Sequence, residues 1–235
     1  MMRYYIVAAM VLLFPGFAAR AADQMPGMND DPIFTHVLVD QLEEQIGGND
    51  QPQLHYEAQG WSGTDENKLW IKSQGTMTAG QFNDGQHEFL YDHAITPFFD
   101  LQAGLRADWD HGVARQWAAI GVQGLVPYFF DTEATVYVGE NGRVAFRTRE
   151  STDWLMTNRL ILTPEVEADL TSKSDQSRQT PAGFTSLDAG LRLRYEVVRE
   201  FAPYIGVTYH AGRILGVSTE PAHDLRFTVG IRAWY

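Results

Sequence analysis

From Phe98 to Trp109 the chain changes character at almost every step. Phe99, Leu101, Ala103, Leu105, Ala107 and Trp109 share one parity, and Asp100, Gln102, Gly104, Arg106 and Asp108 share the other. Successive side chains of a β-strand point to opposite faces, so this stretch predicts a strand with one apolar and one polar face. The pattern returns at 187–196, where Leu187, Ala189, Leu191, Leu193 and Tyr195 oppose Asp188, Arg192, Arg194 and Glu196. It returns again at 158–170, where Leu160, Leu162, Val166, Ala168 and Leu170 oppose Arg159, Glu165, Glu167 and Asp169. Extended along the chain, it predicts strands near 36–46, 52–62, 66–77, 86–95, 97–109, 115–126, 128–138, 143–155, 158–171, 184–196, 202–213 and 223–235. The first reads equally as a short amphipathic helix, because Leu38, Leu42 and Ile46 recur at helical spacing. Counting it as a strand makes the total even, as in bacterial single-chain barrels, and the strand is preferred.

Averaged over both faces, the chain resembles a soluble domain: 44% hydrophobic, 20% charged, mean hydropathy −0.26. A membrane barrel alternates apolar and polar residues and gives the same mean. The formal charge of −12 opposes nucleic acid, whose phosphates attract clustered Lys and Arg, so no nucleic-acid partner is expected. The absence of cysteine excludes disulfides, thiol catalysis and iron-sulfur ligation. At the start, Arg3 precedes a mainly apolar run from Tyr4 to Phe17 and a small-x-small site at Ala19-Arg20-Ala21. This pattern predicts a secretory signal peptide over 1–21, too short to be a spanning helix. Cleavage after Ala21 removes Arg3 and Arg20 but no acid, and makes the mature chain more acidic. A flexible acidic tail over 22–35 and a barrel over 36–235 follow.

Connections supply a second test. If the chain starts on the periplasmic side, those after even-numbered strands should be short turns, near 63–65, 96, 127, 156–157 and 197–201. Those after odd-numbered strands include longer stretches at 78–85, 172–183 and 214–222. The last segment, LRFTVGIRAWY, sets Phe227, Val229, Ile231, Ala233 and Tyr235 on one face, interleaved with Arg226, Thr228, Gly230 and Arg232. It resembles the terminal-strand signature that the barrel assembly machinery of Gram-negative bacteria reads. The expected fold is an all-β, transmembrane, antiparallel up-and-down β-barrel of about 12 strands in the outer membrane, surrounded by its lipid. Closure pairs every backbone donor and acceptor in hydrocarbon.

With apolar residues outward, the charged ones line the lumen. A symmetric hairpin about Met156 sets Asp153 against Arg159 and Arg147 against Glu165. Arg192, Arg194, Arg226 and Arg232 are expected to meet Glu167, Asp169, Asp188 and Glu196, giving a constricted interior rather than a wide pore. No G-x-S-x-G or H-E-x-x-H motif is present, and the carboxylates read as ion pairs, so no enzymatic activity is expected. Metal is the remaining chemistry. Met25 and Met28 offer soft thioethers suited to Cu(I), and His36 follows as an imidazole donor. His55 and Glu57 share one face of the second strand, and His210 has the parity to face inward opposite Asp188. His87 and His93 share a face but sit too far apart to bind one ion.

Longer strings carry a family likeness. NKLWIKSQG at 67–75, AITPFFDLQAGLR at 94–106, WAAIGVQGLVPYFFDTEATVYVGENGR at 117–143, RLILTPEVEADL at 159–170, GLRLRYEVVREFAPYIGV at 190–207 and the closing VGIRAWY resemble the copper resistance protein B family. So does DDPIFTHVLVDQLE, which leads into the first strand. The resemblance implies a monomeric outer-membrane barrel that binds copper ions as cargo and works beside a periplasmic multicopper oxidase of the same resistance system. Members of that family often carry an extended Met- and His-rich segment, whereas here Met25, Met28 and His36 stand alone. Two roles follow: sequestration with lumenal ligands, or export of copper across the outer membrane. The alternative without the resemblance is a general porin or diffusion channel.

Overall fold

The computed structural model describes residues 32–47, 51–110, 112–178, 180–212 and 222–235. Twelve long strands are found among them: β1 (Phe34–Gly47), β2 (Gln53–Gly63), β3 (Asn67–Thr78), β4 (Gln81–Ala94), β5 (Phe99–Asp110) and β6 (Val113–Val126). The rest are β7 (Phe130–Gly139), β8 (Arg143–Thr152, resuming after Asp153 at Trp154–Leu155), β9 (Leu160–Thr171), β10 (Gly183–Tyr195), β11 (Phe201–Gly212) and β12 (Ala222–Trp234). Each pairs antiparallel with its neighbours in sequence, and β12 pairs back onto β1, closing the sheet into a barrel. No helix long and apolar enough to cross a membrane occurs among the described residues.

Burial is inverted relative to a soluble protein. Glu43 and Asp92 are fully buried, while Leu105 is 66% and Phe227 64% exposed. This is the arrangement of a barrel whose outer face meets lipid and whose inner face is polar. Aromatic side chains edge the outer face at both ends: Tyr91, Trp154, Tyr195 and Tyr235 toward the chain termini, Phe82 and Trp109 toward the other rim. Such rings sit where apolar and wet surroundings meet. The two rims are called here the terminal mouth, where β1 begins and β12 ends, and the loop mouth.

The first segment is a strand, and a bulge within it sets Leu38 on the opposite face from Leu42 and Ile46. Register between β1 and β2 slips between Val39 and Gln41, leaving Asp40 as the extra residue of a β-bulge. Before the bulge His36 and Leu38 face inward; after it Gln41, Glu43 and Gln45 do, so Leu38 is buried while Leu42 and Ile46 are exposed.

Two expectations need correction. The stretch 78–85 is a tight turn: Thr78 pairs with Gln81 around Ala79 and Gly80, both with positive φ, and 81–85 already belongs to β4. Among the described residues, only 172–182 remains a long connection on that side; 214–221 lies outside them. The hairpin after β8 turns at 156–159, where Met156 and Thr157 N–H groups donate to the Leu160 carbonyl, and is centred two residues later than expected. Parity survives but partners shift: Arg147 opposes Asp169 rather than Glu165, and Asp153 meets Arg194 and Thr163 rather than Arg159.

Candidate functional site

The inward parity of these strands fills the barrel with charge. Arg149 on β8 forms ion pairs with Glu167 (2.6 Å) on the next strand and with Glu57 on β2, half-way round the barrel. Arg147 holds Asp169 (2.9 Å) and Glu167 (3.1 Å) and donates to Gln86 on β4 (3.0 Å). Gln41 donates to Glu165 (3.2 Å), Lys72 pairs with Glu133, and the Tyr137 hydroxyl donates to Glu88 (2.7 Å), each from one wall to another. Against the β1 wall, Arg192 grips Glu43 (2.9 Å), which also accepts from Tyr204 (2.9 Å). The expected lumenal arginines therefore do face inward and pair with acids, but the acids differ: Glu43 and Glu165 for Arg192, Asp153 for Arg194, Asp224 for Arg226 and Asp40 for Arg232.

This belt divides the lumen into a cavity of about 720 Å³ toward the terminal mouth and one of about 420 Å³ toward the loop mouth. Glu57, Gln74, Arg147, Arg149 and Glu165 line both and form the partition. Seven carboxylates face four basic side chains in each cavity, so each attracts cations. A small apolar cluster of Leu90, Ala119 and Tyr137, with Trp70 and Trp117 against it, takes up further space along one wall.

The connection 172–182 reaches back over the loop mouth. Asp175 bridges Arg115 (3.1 Å) and Arg143, and Arg178 donates to the Val113 carbonyl (2.7 Å) and pairs with Asp108 (3.4 Å). Burial opposes ionisation of Asp175, but hydrogen bonds from Ser177 and Arg115 and the charges of Arg143 and Arg115 overcome it and hold its carboxyl at about 2. The carboxylate is thus charged through the neutral range and keeps the strap pinned.

Met25 and Met28 lie outside the described residues. His36 stands at the terminal mouth, its ring centroid 6.1 Å from that of Trp61 and 5.8 Å from that of Trp234. His55 and His210 line the cavity near the loop mouth, so the structure gathers these two and separates them from His36. Glu57 is engaged by Arg149. His210 Nδ1 lies 2.5 Å from Asp188 Oδ1, the partner its parity indicated. Among the described residues, no three His, Asp or Glu side chains converge to hold a metal ion. His87 and His93 lie on the outer face, beside Ser73 and Asn67.

Residues 33–235 match the family described as copper resistance protein B precursor. The chain belongs to the copper resistance protein B family. It is 39% identical to copper resistance protein B of Escherichia coli over 215 residues, covering 88% of this chain and 72% of that one. It is 36% identical to the copper resistance protein B homolog of Pseudomonas syringae pv. tomato over 213 residues, with the same coverage. Among solved structures, the NanC porin superposes with a TM-score of 0.54 at 10% identity, over 85% of this chain and 99% of that one. That likeness shows the fold: an outer-membrane barrel.

Within this copper resistance protein B barrel, sequence reasoning missed the aromatic surroundings of His36. Trp61 opposes His36 in register, and Trp234 opposes Leu38, one strand over. Once closure of the first strand on the last is assumed, the inward parity of Trp234 in the closing segment is the signal that would have found it.

Proposed function

We propose that the barrel binds copper ions in the outer membrane and contributes to copper resistance without catalysing a reaction. The observation that supports this reading best is the lumen itself, stapled across by Arg149 to Glu57 and Arg147 to Gln86, with excess carboxylate on both sides of the staple. Such an interior favours holding cations over passing solutes freely. Copper is cargo here, collected by the thioethers of Met25 and Met28 with His36 at the terminal mouth, and by His55, Glu57 and His210 deeper in the barrel. Met28 precedes His36 by eight residues, a reach of at most about 29 Å when extended, so these donors can meet. The signal peptide over 1–21 directs export through the secretory pathway, the barrel assembly machinery inserts the chain, and the terminal mouth faces the periplasm. There the family likeness supplies a partner, a multicopper oxidase that would exchange copper with the barrel. The competing reading, a general diffusion porin, rests on the fold shared with NanC.

The two separate in one experiment. A strain lacking this protein is complemented with the native chain or with a Met25→Leu, Met28→Leu, His36→Ala variant, and the purified proteins are tested for sugar entry by liposome swelling. Copper tolerance restored by the native chain, restored less by the variant, and no swelling with either is the expected result. Rapid sugar entry, or tolerance unaffected by loss of the chain, contradicts it.

A further inference from the structure

The terminal mouth carries an arrangement that ion pairing does not explain. Three indoles and one imidazole stand on the inward face of four consecutive strands: Trp234 on β12, His36 on β1, Trp61 on β2 and Trp70 on β3. Trp61 and Trp70 lie 6.0 Å apart by ring centroids. Trp70 donates its N–H to Gln59 (3.1 Å) and Trp234 to the Arg199 carbonyl (2.7 Å), so both rings are held in orientation. Two of the rings already neighbour cations: Lys68 Nζ is 5.9 Å from the Trp61 centroid and Lys72 Nζ 5.7 Å from that of Trp70. Lys68 is balanced by Asp92 (3.4 Å) and Asp100 (3.0 Å). His36, by contrast, makes no hydrogen bond among the described residues and has an indole ring on either side, tilted 41° and 42° to its own plane.

We propose that His36, Trp61 and Trp234 form a site for Cu(I), with imidazole nitrogen as the σ-donor and the indole faces as cation–π partners. This rests on the reading of the barrel as a copper binder and adds the oxidation state and two further residues. A divalent ion favours several imidazole or carboxylate donors, and no three His, Asp or Glu side chains converge among the described residues. Monovalent copper is soft, weakly hydrated and satisfied by few ligands. An aromatic face attracts such a cation most strongly when indole supplies it. The site stands where the chain enters the barrel, so copper held there is within reach of whatever delivers it at that mouth.

The test titrates Ag(I), a redox-inert stand-in for Cu(I), into the full-length protein in detergent while tryptophan fluorescence is read, with Zn(II) as a parallel arm. Quenching by Ag(I) and none by Zn(II) is expected. His36→Ala should weaken Ag(I) binding more than about tenfold, since even removing an outer partner of a ligand costs that much. Trp61→Leu and Trp234→Leu should each weaken it roughly twofold to thirtyfold, the range of a cation–π contact. Trp154→Phe, on the outer face, should leave both affinity and quenching in place. Heat-modifiable gel mobility checks that each variant is folded; if His36→Ala fails that check, the Trp substitutions decide. Ag(I) binding unchanged by His36→Ala, or quenching that survives the Trp61→Leu/Trp234→Leu double variant, overturns the proposal. If the native chain retains copper on dialysis but these substitutions do not alter it, this site fails and the copper reading stands. If it retains none, both fail.

Discussion

Leu105→Arg is expected to destabilise the folded barrel by about 2–4 kcal/mol in lipid, although Leu105 is 66% exposed. In a soluble protein a charge at so open a position changes stability by less than about 0.5 kcal/mol. Here the position lies midway along β5, on the face that carries Phe89 and Ala118 as direct cross-strand neighbours. An arginine there must desolvate or drag water and headgroups toward the bilayer centre. Trp109→Arg, near the rim of the same strand, should cost only about 0–1 kcal/mol beyond the lost ring packing, because the interface is close. Urea unfolding in liposomes measures both. Equal, near-zero effects would mean that the outer face does not meet hydrocarbon.

Arg149→Ala should be comparably damaging from the opposite side of the wall. Its guanidinium is shared by Glu57 and Glu167, whose side chains are each only 11% exposed, so truncation strands Glu57 and leaves Glu167 to Arg147 alone. Removing one partner of a buried pair costs about 3–5 kcal/mol. Water entering the gap lowers that figure, and it also joins the two cavities, so the variant should pass ions that the native barrel does not. Glu57→Gln placed on Arg149→Ala should recover part of the lost stability, since it removes the stranded charge; a double-mutant cycle isolates that coupling. Planar-bilayer recordings and urea unfolding of the same preparations read both consequences. A native barrel that already conducts like an open porin would remove Arg149 from the role of a plug.

Much of this architecture was legible in the chain because period two is strict where both faces are specified. The parity of 99–109 or 187–195 assigns Leu105 outward and Arg192 inward without any structure. Register was less legible. The bulge at Asp40 flips parity within one strand, and the hairpin after β8 is centred two residues later than symmetry about Met156 suggested. Both errors arise because one inserted residue, or a four-residue turn in place of a two-residue one, leaves local composition unchanged. Cross-lumen partners were not legible at all. Glu57 meets Arg149 because closure brings β2 opposite β8, a relation set by the number and stagger of strands. The same holds for the mouth: His36 could be named as a donor from its type, but its place between Trp61 and Trp234 depends on the first strand closing on the last.

The most direct measurement is copper retained per chain after gel filtration of the detergent-purified, full-length protein, loaded separately with Cu(I) under reductant and with Cu(II). Stoichiometric copper that stays with the folded barrel, and falls when Met25, Met28 and His36 are replaced together, is the expected result. A folded chain that emerges without copper of either oxidation state would contradict the proposal that this barrel binds copper.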